Sequence, residues 1–200
     1  MDKYVKSVKE SIQEAIDFFG NSRKVEREKW VACEFLSYLV ENLNESEIQE
    51  STQEPVDVTY NKIGFQVKEV PSEGVKRGKE YKDALRSIND NTKPSDLLEP
   101  YKHEHIPLNN ALPRLVSELE RHRMEKYYGA TNDINVLVYL NLTDTTYDDT
   151  EIDYSLIEEE IVNWLSVFVV TNNCAIILRC KDHSLELLDR NVGQLIFEKK

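Results

Sequence analysis

The sequence predicts an α/β protein, a mixed β-sheet with helices on both of its faces. Three observations predict it. The run Ile134 to Leu142 is apolar without alternation, as a central strand covered on both sides requires. Two earlier stretches, near 56–60 and 64–70, read as strands separated by the turn-rich Asn61-Lys62-Ile63-Gly64. Elsewhere apolar residues recur at helical spacing. The resulting order is helix, helix, strand, strand, helix, strand, helix, strand, strand, and a sheet covered on both faces is its natural packing.

Val5, Val8, Ile12, Ile16 and Phe19 mark the first helix, over residues 3–19, with Gly20 as its C-terminal cap. Ser22 caps a second helix running to about Leu43, with Val25, Ala32, Cys33, Leu36, Val40 and Leu43 on its buried face. Residues 44–54 are polar and acidic and read as a loop. After the two strands, Pro71 to Gly78 is a loop, Lys79 to Ile88 a helix, and Asn89 to His105 a crossing. Pro107 opens a long helix with Leu108, Ala111, Leu112, Leu115, Leu119 and His122 on one face. The central strand, an acidic loop and a helix near 155–165 follow. Val167 to Val170 and Ala175 to Arg179 are strands around Thr171-Asn172-Asn173, and Leu195 to Phe197 is a last short strand. Two hundred residues suit a single domain, 1–200, with a helical N-terminal part over about 1–45.

Composition is that of an ordinary globular chain, 40% hydrophobic and 31% charged. No apolar run reaches membrane-spanning length and no secretory leader is visible, so a cytoplasmic location without membrane contact is expected. Cys33, Cys174 and Cys180 have neither disulfide-framework nor zinc spacing and read as free thiols. The net charge of −12 argues against a protein that coats nucleic acid. Eight of the acids fall in residues 144–160, which hold no Lys or Arg, and without that segment the balance is −4. Two windows lean basic, around Arg23 to Lys29 and Lys76 to Arg86. Lys76, Arg77 and Lys79 are therefore the candidate nucleic-acid contacts, and such binding should be weak or salt-sensitive.

The chemistry centres on Glu54-Pro55-Val56-Asp57 and Gly64-Phe65-Gln66-Val67-Lys68. Side chains alternate along a strand, so Gln66 and Lys68 share one face while Phe65, Val67 and Glu69 take the other. A hairpin would bring Asp57, Gln66 and Lys68 together. A carboxylate and an amide oxygen suit a hard divalent cation, Mg²⁺ or Mn²⁺, and a lysine beside it can orient water or stabilise developing charge. Gln66 stands where this chemistry prefers a carboxylate, so metal affinity should drop. The second helix can supply an acid. With Leu36 at the centre of its buried face, Glu28 and Glu26 lie about 80° to either side, while Glu34 points away from the core. Glu28 is preferred because it shares a flank with Phe35 and Leu39, and Glu26 is the alternative. His103 and His105 lack a third zinc ligand nearby, His122 reads as a packing histidine, and His183 lies in a turn. No nucleophile elbow or Gly-rich phosphate loop is present.

Residues 22–31 (Ser-Arg-Lys-Val-Glu-Arg-Glu-Lys-Trp-Val), Glu54-Pro55-Val56-Asp57-Val58, Phe65-Gln66-Val67-Lys68-Glu69-Val70 and Leu97-Leu98-Glu99-Pro100-Tyr101 carry a resemblance across most of the chain. The chain resembles a bacterial family of uncharacterised proteins described as endonucleases, placed in the restriction-endonuclease-like, PD-(D/E)XK superfamily. The resemblance implies a four-stranded mixed core sheet flanked by helices and a metal-dependent cut of nucleic acid, DNA in the first instance. It matches Asp57 to the motif aspartate, Gln66 to the second acid, Lys68 to the motif lysine, and Glu28 or Glu26 to the helix acid. Gln66 departs from the usual Asp or Glu, although Mrr-like relatives also carry Gln there. Many nucleases of this type act as dimers, which makes a homodimer an expectation. The alternative is a catalytically inactive protein of the same fold acting as a binding or regulatory module, motivated by Gln66 and the net charge.

Overall fold

A computed structural model of the chain describes residues 2–72, 79–97, 104–142, 145–148, 151–181, 188 and 190–200. Helix α1 spans Lys3–Phe18 and starts where the Asp2 carboxylate accepts from the Tyr4 N–H. Its C-cap is Phe19 rather than Gly20. Helix α2 spans Lys24–Ser37, shorter than the expected run to Leu43. Ser22 does not cap it. Asn21–Arg23 form a 3₁₀ turn, and Arg23 stands at the N-cap without a side-chain bond to the first turn.

The hairpin that the sequence marks is present. Strand β2 covers Val58–Tyr60 and β3 covers Ile63–Pro71, antiparallel with Val58 opposite Phe65. Only Asn61 and Lys62 turn the chain, both at positive φ, as a two-residue hairpin loop requires. Ile63 and Gly64 already belong to the strand. The acidic loop before the hairpin hides a short edge strand, β1 (Gln49–Glu50), paired with β2.

Helix α3 spans Lys79–Ser87, and a 3₁₀ turn follows at Pro94–Leu97. Strand β4, Glu104–Pro107, occupies the end of the expected crossing, so Pro107 ends a strand instead of opening a helix. The long helix, α4, is Leu112–Tyr127. Strand β5, Asn135–Asn141, is buried through its first six residues. Strand β6, Thr145–Asp148, pairs with β4 in a separate parallel two-stranded sheet. The helix expected near 155–165 is a 3₁₀ turn at Tyr154–Leu156 followed by the short α5, Glu158–Ile161. Strands β7 (Ser166–Val170), β8 (Ala175–Arg179) and β9 (Leu195–Ile196) complete the sheet.

Among the described residues the main sheet has seven strands in the order β1-β2-β3-β5-β7-β8-β9, with β3, β5 and β7 parallel at its centre. One face packs Leu112, Leu115 and Leu119 of α4 against Val136, Val138 and Val167. The other packs Ala32, Phe35 and Leu36 of α2 against Phe65, Leu137 and Phe168. The alternation along β3 and β5 thus feeds two cores, one under each helix layer. Cys33 and Cys174 are free thiols. Among the described residues no helix is long and apolar enough to cross a membrane.

Gly64 fixes the approach of the segment that carries Asp57. A Cβ there would stand 2.8 Å from both methyls of Val56. Gly64→Ala should therefore push Pro55 to Asp57 outward and destabilise the fold by about 1–3 kcal/mol. Urea denaturation reads this directly, and an unchanged midpoint would mean that Val56 moves aside freely.

Candidate active site at the sheet edge

Strand β2 parts from β3 at Asp57. Its backbone N–H still donates to the Phe65 carbonyl at 2.9 Å, and then its side chain takes over the ladder. The Val67 N–H, the next donor along β3, goes to Asp57 Oδ2 at 2.8 Å. The carboxylate thus lies in line with the edge of the sheet, open to groups from both faces. From the α4 face, Gln66 Nε2 donates to the same Oδ2 at 3.0 Å. From the α2 face, the Lys24 ammonium stands 3.3 Å from Asp57 Oδ1. It also stands 3.0 Å from Glu28 Oε1, one helical turn along α2. One ammonium nitrogen therefore bridges two carboxylates, which lie within reach of a single cation.

Both acids are largely shielded, with side chains 9% (Asp57) and 11% (Glu28) exposed, whereas Lys24 is 62% exposed. Burial pushes the Glu28 carboxyl above its usual range and the Asp57 charge adds to this, while Lys24 pulls it back. The Lys24 ammonium is raised in turn, chiefly by its bond to Glu28. Glu26 is exposed and paired with Arg23. The structure brings Glu28 to Asp57 and leaves Glu26 outside.

Gln66 is buried at 3% exposure, and its Oε1 meets His122 Nε2 at 2.8 Å. His122 is held edge-on to Tyr127 and parallel to Trp164, with ring centroids 5.4 and 6.4 Å away. Burial, with the nearby Lys68, Lys126 and Arg121 charges, draws its pKa down to about 4. The Tyr127 hydroxyl is raised by burial and by the Asp57 charge, and among the described residues it has no hydrogen-bond partner. It is a buried donor that feels the Asp57 charge.

Lys68 shares the α4 face with Gln66, as alternation requires, and is half-buried. It does not join the carboxylates. Among the described residues it makes no ion pair, and the charges acting on it are Arg121, Glu118, Glu125 and Lys126 of α4. Its ammonium is lowered, first by burial and then by Arg121. Lys79 is exposed at the start of α3, whereas Lys76 and Arg77 lie outside the described residues, as do His103, His183 and Leu98 to Tyr101.

Two partners escaped the sequence reading. Lys24 could have been found, because it stands four residues before Glu28 on one helix. His122 showed only as the polar end of an apolar stripe. A cavity of about 150 Å³ opens beside Lys24 and Glu28, walled by Phe19, Trp30, Val67 and Tyr139.

The profile of one protein family matches residues 2–200. The chain belongs to that family. Its description reads "Putative endonuclease, protein of unknown function (DUF1780)". No curated protein matches the chain. A solved structure from Pseudomonas aeruginosa strain PAO1, described as a protein of unknown function of the monooxygenase superfamily, matches all of this chain and 97% of its own, with a TM-score of 0.64. At 21% identity that similarity concerns the fold alone.

Proposed function

We propose that the chain is a divalent-metal-dependent endonuclease that hydrolyses phosphodiester bonds of nucleic acid, DNA in the first instance, on a restriction-endonuclease-like sheet edge. The observation that carries this is the Lys24 ammonium seated between Asp57 and Glu28, a stand-in for the cation that two shielded, repelling carboxylates call for. The donor set fits Mg²⁺ or Mn²⁺. Asp57 and Glu28 would supply charge, Gln66 would supply an amide oxygen once its amide turns from the present bond to His122, and water and a substrate phosphate would complete a hard oxygen shell. Among the described residues no three His, Cys, Asp or Glu side chains form a metal cluster, so these two acids and the amide would carry the site.

When bound, the ion would polarise the phosphoryl oxygen and acidify a water. The protein's own groups do the rest. The Val67 N–H fixes the Asp57 carboxylate. Glu28 approaches from α2 and balances the cation. Lys68, on the Gln66 face, would have to swing away from Glu118, Arg121 and Glu125 of α4 to offer positive charge to the scissile phosphate. Lys79, exposed at the start of α3, is a further candidate phosphate contact, and Lys76 and Arg77, outside the described residues, are proposed with it from the basic run in the sequence. The family description supports a nuclease.

A second reading, an inactive binding module, is favoured by the same contact, because Lys24 already neutralises part of the site. Titration calorimetry separates the two. Lys24 competes with the ion, so Lys24→Met should tighten Mg²⁺ binding several-fold, the scale of two largely exposed ion pairs worth about 0.5 kcal/mol each. Protons compete as well. Glu28 holds its proton to higher pH than an ordinary carboxylate, so Mg²⁺ affinity should rise with pH through its titration, and the rise should shift upward in Lys24→Met. Plasmid nicking with Mg²⁺ or Mn²⁺ then tests cleavage. Absence of both binding and nicking in wild type would leave the inactive reading.

A further inference from the structure

The chemistry of the Asp57–Gln66–His122 chain fixes where its protons lie. A carboxylate only accepts, so the Gln66 amide nitrogen must be the group facing Asp57 at 3.0 Å. The amide oxygen is left for His122, 2.8 Å from Nε2. An oxygen acceptor demands a proton on that nitrogen, so the neutral ring carries its hydrogen on Nε2. Arranged this way, Gln66 offers the site a donor and cannot ligate a cation.

For Gln66 to serve as a ligand, its amide must turn over. The oxygen then faces Asp57 and the ion, and the NH₂ faces His122. The ring cannot leave, because Tyr127 and Trp164 hold it on two sides. It must instead accept at Nε2. We infer that His122 is a positioning residue for the metal site, switching from the Nε2–H to the Nδ1–H tautomer when a divalent cation seats against Asp57 and Glu28 and the Gln66 amide turns its oxygen to the ion. This rests on the metal reading proposed above.

The proton balance closes. The ring releases one proton from Nε2 and takes one at Nδ1 through exchange with water, so its charge does not change. Asp57 Oδ2 loses the amide hydrogen bond but keeps the Val67 N–H at 2.8 Å. The device also gives glutamine a use in a slot where a carboxylate would hold the ion more tightly. An amide with a histidine behind it can be donor or ligand, and a carboxylate cannot donate.

The test is ¹⁵N NMR of the histidine-labelled full chain at pH 7, with and without saturating Mg²⁺, alongside titration calorimetry. His122 is assigned by loss of its signals in His122→Asn. Without Mg²⁺, its Nε2 should show the shift of a protonated nitrogen and Nδ1 that of a bare one. With Mg²⁺ the two should exchange. In Gln66→Met, Mg²⁺ should bind several-fold more weakly and the exchange should vanish. Mg²⁺ binding to wild type with an unchanged His122 tautomer overturns this inference and leaves the nuclease reading standing. Exchange that persists in Gln66→Met also overturns it, because the ion would then act on the ring without the amide. No Mg²⁺ binding at millimolar concentration overturns both.

Discussion

Replacing Asp57 by asparagine is expected to abolish metal-dependent cleavage, by at least about 100-fold, the scale on which one charged or oriented group contributes to transition-state stabilisation. The reason is local. Asp57 is contacted from both faces of the sheet, by Lys24, Gln66 and the Val67 N–H. An asparagine oxygen can still accept from Val67, so the ladder survives. Its NH₂ then faces the Lys24 ammonium, donor against donor, and the negative charge that would hold a cation is gone. Asp57→Ala should lose activity equally and also destabilise the fold by about 1–3 kcal/mol, because it strands the Val67 N–H. Plasmid nicking and urea denaturation of both variants separate the two effects. Wild-type nicking by Asp57→Asn would remove Asp57 from the chemistry.

The largest loss of stability is expected at the buried ion pair behind Trp164. Glu160 is 5% exposed, and its carboxylate accepts from Arg123 Nη2 at 2.8 Å and Nε at 3.0 Å, and from the Trp164 indole N–H at 3.0 Å. This fork ties α4 to α5 beneath the sheet. Arg123→Ala leaves a buried carboxylate with only the indole donor, and removing one partner of a buried pair costs about 3–5 kcal/mol. For a chain of this size that lowers the melting temperature by roughly 10 °C. Arg123→Met with Glu160→Met should recover most of it, since the net value of such a pair against apolar packing is small. A melting temperature unchanged in Arg123→Ala would show that water enters and solvates Glu160.

The sheet was legible where burial is written into the pattern. The unbroken apolar run of β5 and the alternation along β3 both predict a strand from side-chain environment alone. Strands β4 and β6 left no such mark. Residues Glu104, His105 and Pro107 of β4 are exposed, and its partner lies some forty residues away, so only tertiary pairing reveals it. The resemblance implied four core strands, whereas seven pair in the described sheet; the residue pattern marked six of these, the short β9 among them, and missed β1, a two-residue edge with little to bury. Helix ends failed for a related reason. Ser22 has the right chemistry for a cap, yet the chain reaches it already coiled in a 3₁₀ turn.

At the site, the helical-wheel argument that separates Glu28 from Glu26 depends only on rotation per residue, and the two side chains do sit in different surroundings. Lys68 shows the limit of that kind of reasoning. Alternation places it on the Gln66 face, but it cannot say that α4 brings Glu118, Arg121 and Glu125 to meet it. The sequence also sets no distance between the hairpin and the second helix, and so the Lys24 bridge could not be foreseen.

The central claim is that Asp57 and Glu28 face a common cation position now held by Lys24. Crystals soaked in Mn²⁺ test it most directly. The account predicts an anomalous peak between the Asp57 and Glu28 carboxylates, with the Lys24 ammonium displaced toward solvent. A manganese peak elsewhere on the protein, with Lys24 still bridging the two acids, would contradict it.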